Sequence, residues 1–475
     1  MPINKKTKIL ATLGPATNTK EIISELVDAG VNVFRINFSH AEYNNVKARI
    51  KDIREINEEK NLHVAILGDL QGPKLRVGVM EENVVLKEND TFIFTTDECI
   101  GNNEKAFMTY QSFPKDVKKG ENILVDDGKL MFEVVSTNRK NEVTTKVIVG
   151  GVLSSKKGVN LPNTKISLPA LTEKDMRDAI FAIEQNVDWI ALSFVRNPED
   201  LRKLHDLISQ KSDYRIPVIA KIEKPEAVEN IDALIPYCDG LMVARGDLGV
   251  EIPMQEVPLI QKMLVQRAKL ARIPVIIATQ MMETMITNAV PTRAEVNDVA
   301  NSIMDGADAV MLSGETSVGA HPIKVIEKMS EIIRSVENSP LIKVPQAPPH
   351  IRTDRFITKA VCHHAALMAN DVQATAISTL TNSGYTAFQI SAWRPASTIL
   401  AFSSEKRILA KMSLLWGVRS FFYDKNVSTD DTVVDINLIA KERGYVTIND
   451  YVINLTSMPV EAKGMVNTLR VSQIK

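Results

Sequence analysis

The sequence predicts an α/β protein: a (β/α)8 barrel with an inserted all-β lid and a C-terminal α/β domain. Three observations predict it. Eight short apolar runs alternate with amphipathic helical stretches between Ile9 and Leu312. The helical period vanishes between Gly72 and Pro169, where β-rich segments replace it. The α/β alternation then restarts near Arg352, beyond the proline-rich stretch VPQAPPHI.

The eight runs are Ile9–Leu13, Val31–Phe38, Val64–Leu67, Trp189–Phe194, Pro217–Ile222, Gly240–Ala244, Pro274–Ala278 and Ala309–Leu312. Their length and β-branched content suit parallel strands buried on both faces. The count matches barrel closure, although an open doubly wound sheet would give the same alternation. Helix starts are signalled by Ser39 with Glu42 and Thr292 with Glu295, at capping-box spacing. Asn197-Pro198 and Pro225 add first-turn prolines.

In the interruption, VVLKENDTFIFTT, NILVDDGKLMFEVVS and NEVTTKVIVGG read as strands, with turn signals at Asp127-Gly128 and Gly150-Gly151. An insertion hinged by Pro73 and by Pro162 to Pro169 at a strand's carboxyl end is a natural lid; a rigid decoration is the bland alternative. The expected domains are 1–70 with 170–342 for the barrel, 71–169 for the lid, and 343–475 for the C-terminal domain.

At 475 residues two or three domains are expected. A formal net charge of −1 gives no global field for nucleic acid or a membrane surface, so small molecules and copies of the same chain are the expected partners. Cys99, Cys238 and Cys362 have no metal-binding or redox spacing, which fits reduced thiols in a cytoplasmic protein. The opening MPINKKTKILATLG reads as neither signal peptide nor span.

The chemistry concentrates at strand ends. Lys221 and Glu223 close the fifth run, and Asp247 follows the sixth. Parallel strands bring these groups to one side, where two carboxylates and a lysine suit a divalent metal carrying an anionic substrate. Either acid alone would more simply be a helix cap. Arg35, Asn37 and Ser39 share a face at the end of the second run. Arg35 suits a phosphate or carboxylate, or a salt bridge to Asp69, or both. Asp69, Lys74 and Arg76 at the lid's entry face Lys156 and Lys157 at its exit, a cleft suited to polyphosphate. Thr279 ends the seventh run; Ser313 and Glu315 end the eighth and could pass a proton. TNSGYTA, from Thr381 to Ala387, leads into a helix and offers an anion site or an ordinary capped turn.

RINFSH, GDLQGPKLR, KKGVNLP, AKIEKPEAVEN, VARGDLGVEIP, ATQMMETM, PTRAEVNDVANSIMDGADAVMLSGETSVGAHP and TNSGYTA, in this order, resemble pyruvate kinase from Lys5 to the C-terminus. The resemblance implies a homotetramer that transfers phosphate from phosphoenolpyruvate to ADP. It implies Mg2+, with Mn2+ as a substitute, on Glu223 and Asp247. Lys221 would stabilise the phosphoryl group in flight and the enolate, and Arg35 would grip the phosphate. Gly246, Asp247 and Thr279 would receive the carboxylate. Asn37, His40, Arg76 and Lys157 would contact the nucleotide. Thr279, Ser313 and Glu315 would relay a proton through water.

Many members of that family bind K+ through residues matching Asn37, Ser39, Asp69 and the Leu70 carbonyl, with Thr-Lys at the positions of Leu70 and Gln71 and Glu at that of Lys74. The triplet Leu70, Gln71 and Lys74 is similar to the K+-independent branch: a fixed ammonium replaces a mobile cation. The C-terminal loop, Thr381, Asn382, Ser383, Gly384 and Thr386, would hold a phosphorylated effector; Tyr385, where some relatives carry Lys or Arg, favours a monophosphate. A different phosphoenolpyruvate-handling barrel would lack this lid and KKGVNLP exit, and a silent metabolite sensor would lack Lys221, Glu223 or Asp247.

Overall fold

The computed structural model describes residues 5–339, 355–425, 427–458 and 465–475. The predicted linker VPQAPPHI lies outside them. The eight apolar runs close into a parallel barrel. The first strand, Lys8–Thr12, pairs with the eighth, Ala309–Leu312, and with the second, Val33–Asn37. The third strand, Ala65–Asp69, pairs with the fourth, Trp189–Leu192, across the whole insertion, Trp189 opposite Leu67. Closure rules out the open sheet.

The helices start largely where their residues dictate. Thr292 and Glu295 form the capping box of Arg293–Asp305. Asn197 accepts the Glu199 and Asp200 N–H groups ahead of Pro198–Lys211. The Ser39–Glu42 box does not form. Asn37 Oδ1 takes the Ser39 N–H at 3.1 Å and closes a short 3-10 turn, Phe38–His40. The following helix, Tyr43–Lys60, begins after Glu42 without a side-chain cap. The asparagine is two residues away from the contested amide and reaches it first.

The insertion carries a seven-stranded sheet. Its entry strand Leu75–Arg76 pairs antiparallel with its exit strand Gly158–Asn160, so the neck is stitched shut beside the barrel. Phe92, Phe94, Phe113 and Phe132 pack its core edge-to-face or tilted. The Asp127-Gly128 turn has positive φ at both residues. Gly150-Gly151 makes no reversal: the chain runs on from Glu142–Val149 into Gly151–Val152, which pairs with Val85–Leu86. Glycine is needed there for close approach, because a Cβ on Gly150 would sit 2.4 Å from the Leu86 carbonyl oxygen.

The C-terminal sheet has five strands, ordered Val418–Phe422, Thr398–Ser403, Ala376–Leu380, Tyr451–Thr456 and Thr468–Gln473, of which the last is antiparallel. This domain plugs the amino ends of the barrel strands. Leu414 packs into the barrel interior with Leu10, Trp189 and Met242. The Trp189 indole donates to the Lys411 carbonyl at 3.2 Å, and Lys8 Nζ donates to that of Val418 at 2.7 Å. Plugging one end leaves the carboxyl ends, under the insertion, free for chemistry.

Candidate active site

The carboxyl ends of the second, third, fourth and fifth strands bring Arg35, Asp69, Ser193, Lys221 and Glu223 together. Arg35 Nε lies 2.5 Å from Asp69 Oδ2 and its Nη1 donates to Thr12 Oγ1 at 3.1 Å. Lys221 Nζ lies 3.3 Å from Asp69 Oδ1, 2.8 Å from Glu223 Oε1 and 2.7 Å from Ser193 Oγ. Ser193 passes its own proton to the Leu70 carbonyl at 2.7 Å. Glu223 Oε2 accepts the Phe194 N–H at 2.8 Å. Asp69 and Glu223 are each only 1% exposed and Lys221 is 8% exposed, so these charges act through protein rather than water.

The titrations follow from that. Burial alone would raise the Asp69 carboxyl, but Lys221 and Arg35 hold it below the usual carboxylate range. Burial opposes the charge on Lys221, yet Asp69 and Glu223 keep its ammonium above its ordinary value. The Glu223 carboxyl is pushed up, by burial and then by the negative charge of Asp247, against the pull of Lys221. Two cations, Arg35 and Lys221, thus face three carboxylates, Asp69, Glu223 and Asp247.

A divalent cation between Glu223 and Asp247 would relieve their repulsion, and both are hard oxygen donors of the kind Mg2+ takes. The residues therefore fit such an ion. Among the described residues no set of three or more acidic, imidazole or thiol groups forms a protein-only cage. Two carboxylates completed by substrate oxygens and water need none.

Asp247 stands in the first turn of the helix Arg245–Glu251, which follows the sixth strand, Gly240–Ala244. The Gly246 N–H donates to Thr279 Oγ1 at 2.7 Å, and Thr279 Oγ1 donates to the Ala278 carbonyl at 2.6 Å. Thr279 and Gln280 hold φ of +68° and +54°. A β-branched residue in the left-handed region is strained, and the surroundings must hold it there. Arg245 does this: its Nη2 grips the Thr279 and Gln280 carbonyls at 2.8 and 3.3 Å, and its Nη1 is anchored on Asp298 at 2.7 Å.

At the eighth strand, Glu315 accepts the Ser313 N–H at 2.7 Å and the Met282 N–H at 3.2 Å. Burial pushes its carboxyl up.

The remaining nucleotide-side residues sit at the lid's neck and the barrel rim. Arg76 donates to the Lys156 carbonyl at 2.9 Å, and Lys157 pairs with Asp126 at 3.0 Å. His40 is exposed on the rim turn after Asn37 and Ser39. Lys74 is exposed beside Gly158 and makes no ion pair with the Arg35–Asp69 cluster among the described residues. Ser193, Thr12, Asp126 and Arg245 were missed by motif reading. Ser193 alone had a usable signal, its place at the end of the fourth strand.

In the C-terminal domain the Thr381 Oγ1 accepts the Gly384 N–H at 3.0 Å and Ser383 Oγ that of Tyr385 at 3.4 Å, at the start of the helix Tyr385–Ala392. Gly384 holds φ of +79°. This turn, with Asn382 and Thr386, borders a cavity of about 240 Å³ that Lys425 also lines.

Fold and site define the class: a (β/α)8-barrel enzyme with its charged centre at the strand ends beneath an inserted β domain. Two family models match, "Pyruvate kinase, barrel domain" over residues 4–326 and "Pyruvate kinase, alpha/beta domain" over residues 359–472. The chain is 41% identical to the pyruvate kinase of Geobacillus stearothermophilus over 99% of its length and 81% of that protein's. It is 39% identical to that of Mycobacterium intracellulare over 99% of both. A crystal structure of a pyruvate kinase from Cryptosporidium parvum superposes with a TM-score of 0.91 at 33% identity, covering 99% of this chain and 96% of that one. The chain belongs to the pyruvate kinase family.

Proposed function

We propose that this enzyme transfers the phosphoryl group of phosphoenolpyruvate to ADP, yielding ATP and the enolate of pyruvate, which then takes a proton at carbon. The observation that carries this reading is the buried cluster of Lys221, Arg35, Asp69 and Glu223 at adjacent strand ends, with Asp247 close enough to shift the Glu223 titration. Phosphoryl transfer asks for positioning and charge stabilisation more than covalent chemistry, and this cluster supplies both.

Glu223 and Asp247 would hold Mg2+, or Mn2+ in its place. Bound there, the metal would act as a Lewis acid on the substrate's oxygens. Arg35, fixed by Asp69 and Thr12, orients the transferred phosphate. Lys221 remains an ammonium and meets charge as it develops on the phosphoryl group and then on the enolate. Thr279 and the backbone of Gly246 and Asp247 receive the carboxylate. Its arrival takes over the Gly246 N–H that Thr279 Oγ1 now holds. Asn37, His40, Arg76 and Lys157 contact ADP as the lid closes. Glu315, buried and shifted toward its neutral form, supplies the enolate's proton through Ser313, Thr279 and water.

On the same reading 1–70 with 170–342 form the catalytic domain, 71–169 the lid and 343–475 the effector and assembly domain. The enzyme works in the cytoplasm as a homotetramer, and a phosphorylated metabolite at Thr381, Asn382, Ser383, Gly384 and Thr386 activates it. No helix among the described residues is long and apolar enough to cross a membrane.

Independence from K+ follows from Leu70, Gln71 and Lys74 together with Asn37, Ser39 and Asp69. The Leu70 carbonyl is engaged by the Ser193 hydroxyl, and Asp69 is balanced by Arg35 and Lys221. In a coupled assay with phosphoenolpyruvate, ADP and Mg2+, full turnover is expected in K+-free buffer. A rise of about tenfold on adding K+, equivalent to about 1.4 kcal/mol of barrier, would contradict it. The same assay with sugar monophosphates should show activation that Thr381→Ala with Ser383→Ala removes; unchanged activation would refute the effector site.

A further inference from the structure

Three segments of the chain meet at one carboxylate oxygen outside the charged cluster. Lys224 Nζ lies 2.6 Å from Glu251 Oε1. Asn160 Nδ2 donates to the same oxygen at 2.7 Å. Glu251 is 4% exposed and Lys224 is 6% exposed. Glu251 Oε2 is buried without a hydrogen-bond partner among the described residues.

The positions of these residues in the chain give the contact its meaning. Lys224 directly follows Glu223. Glu251 is the last residue of the helix whose first turn carries Asp247. Asn160 ends the exit strand of the lid, Gly158–Asn160, three residues beyond Lys157. A second lid contact, from Arg196 to the Ile166 and Leu168 carbonyls at 2.7 Å each, lies on the exit segment itself and touches neither acid-bearing segment.

We infer that Glu251 is a positioning residue: its carboxylate ties the seated lid to the two segments that carry Glu223 and Asp247. What the lid and those acids do rests on the function proposed above; the tie itself rests on geometry alone. Lys224 keeps Glu251 ionised in a buried place, and an amide donating to an ionised acceptor is held more firmly than one donating to a neutral group. The lysine arm sets the distance between the end of the fifth strand and the helix after the sixth. The asparagine arm is made only when the exit strand of the lid lies against the barrel. Seating the lid therefore bears on the same carboxylate that spaces the two metal-side acids.

The two arms can be cut separately in the full-length protein. Asn160→Ala is expected to raise KM for ADP about tenfold, the effect of losing one hydrogen bond to a charged group, with kcat and KM for phosphoenolpyruvate changed less than about twofold. Backbone amides of 158–160 should exchange with deuterium faster, and Mn2+ binding, read by electron paramagnetic resonance without substrates, should be unchanged. Glu251→Gln should reproduce the lid effects and also weaken Mn2+ binding about tenfold, because the lysine arm loses its charge partner.

Exchange at 158–160 and KM for ADP both unmoved in Asn160→Ala would overturn the tie. So would Glu251→Gln weakening Mn2+ binding no more than Asn160→Ala does. If Glu251→Gln does not fold, Asn160→Ala decides by itself. An unmodified enzyme that fails to turn over phosphoenolpyruvate and ADP would sink the proposed reaction instead, while the exchange and Mn2+ readings would still report the tie.

Discussion

Lys221→Met is expected to lower kcat about a thousandfold while KM for phosphoenolpyruvate changes far less. The lysine's ammonium is buried, held by Asp69 at 3.3 Å and Glu223 at 2.8 Å, and fixed in direction by Ser193. It is already paid for in the resting enzyme, so its attraction to charge appearing in the transition state needs no reorganisation. Losing one such preorganised group costs about 10²–10³ in kcat, and a full positive charge belongs at the upper end. The substitution also leaves Asp69 and Glu223 facing each other without their shared cation, so some thermal stability is lost. Steady-state kinetics at saturating Mg2+, with a melting curve to establish the folded fraction, check this. A kcat within tenfold of the unmodified enzyme would remove Lys221 from the chemistry.

The largest effect on stability is expected at the seam between barrel and C-terminal domain. Arg394 is buried there, with Nη2 at 2.9 Å from Asp308 Oδ1 and 2.7 Å from the Gly306 carbonyl, and its guanidinium over the Trp416 ring. Asp308 Oδ2 accepts the Val275 N–H at 2.9 Å, just where the seventh and eighth strands begin. Burial pushes the Asp308 carboxyl up, and Arg394 is the main group opposing that. Arg394→Met leaves a buried carboxylate without its partner, at a cost of about 3–5 kcal/mol. Lys269 softens the loss. Its pKa, lowered to about 8 by burial and by Arg394, recovers once the arginine is gone, and its charge turns toward Asp308.

The net expectation is about 3 kcal/mol and a fall of roughly 5 °C in the melting temperature. Adding Asp308→Asn should restore most of it, since the cost comes from the orphaned charge. A melting temperature unchanged by Arg394→Met, or a double variant worse than the single, would contradict this account of the seam.

The barrel was legible because parallel strands buried on both faces have no polar side to show. Each of the eight reads as an unbroken apolar run, and its carboxyl end is marked by the first charged residue, as at Arg35, Lys221 and Asp247. The lid was legible by loss of the helical period. The groups that hold the site in shape were not legible, because their partners lie far along the chain. Ser193 bonds the Leu70 carbonyl, Arg394 pairs with Asp308, and Glu251 joins Lys224 to Asn160.

Local rules failed where a nearer competitor existed. Asn37 takes the Ser39 amide and undoes a capping box whose spacing was right. The helix Thr429–Glu442 was passed over, although Ser428 caps it through the Asp431 N–H and Val433, Ile436 and Ala440 line its buried face. The positive φ of Thr279 has no signature in sequence, since threonine avoids that region and only Arg245 and its neighbours make it stand.

The gathering of Lys221, Glu223 and Asp247 around one divalent ion is tested most directly by anomalous diffraction from crystals of the full-length protein grown with Mn2+. A single strong manganese peak within about 2.0–2.3 Å of a carboxylate oxygen from both Glu223 and Asp247, with Lys221 Nζ turned toward the same centre, is the expected result. A peak bound elsewhere, or none at these two carboxylates under saturating Mn2+, would contradict it.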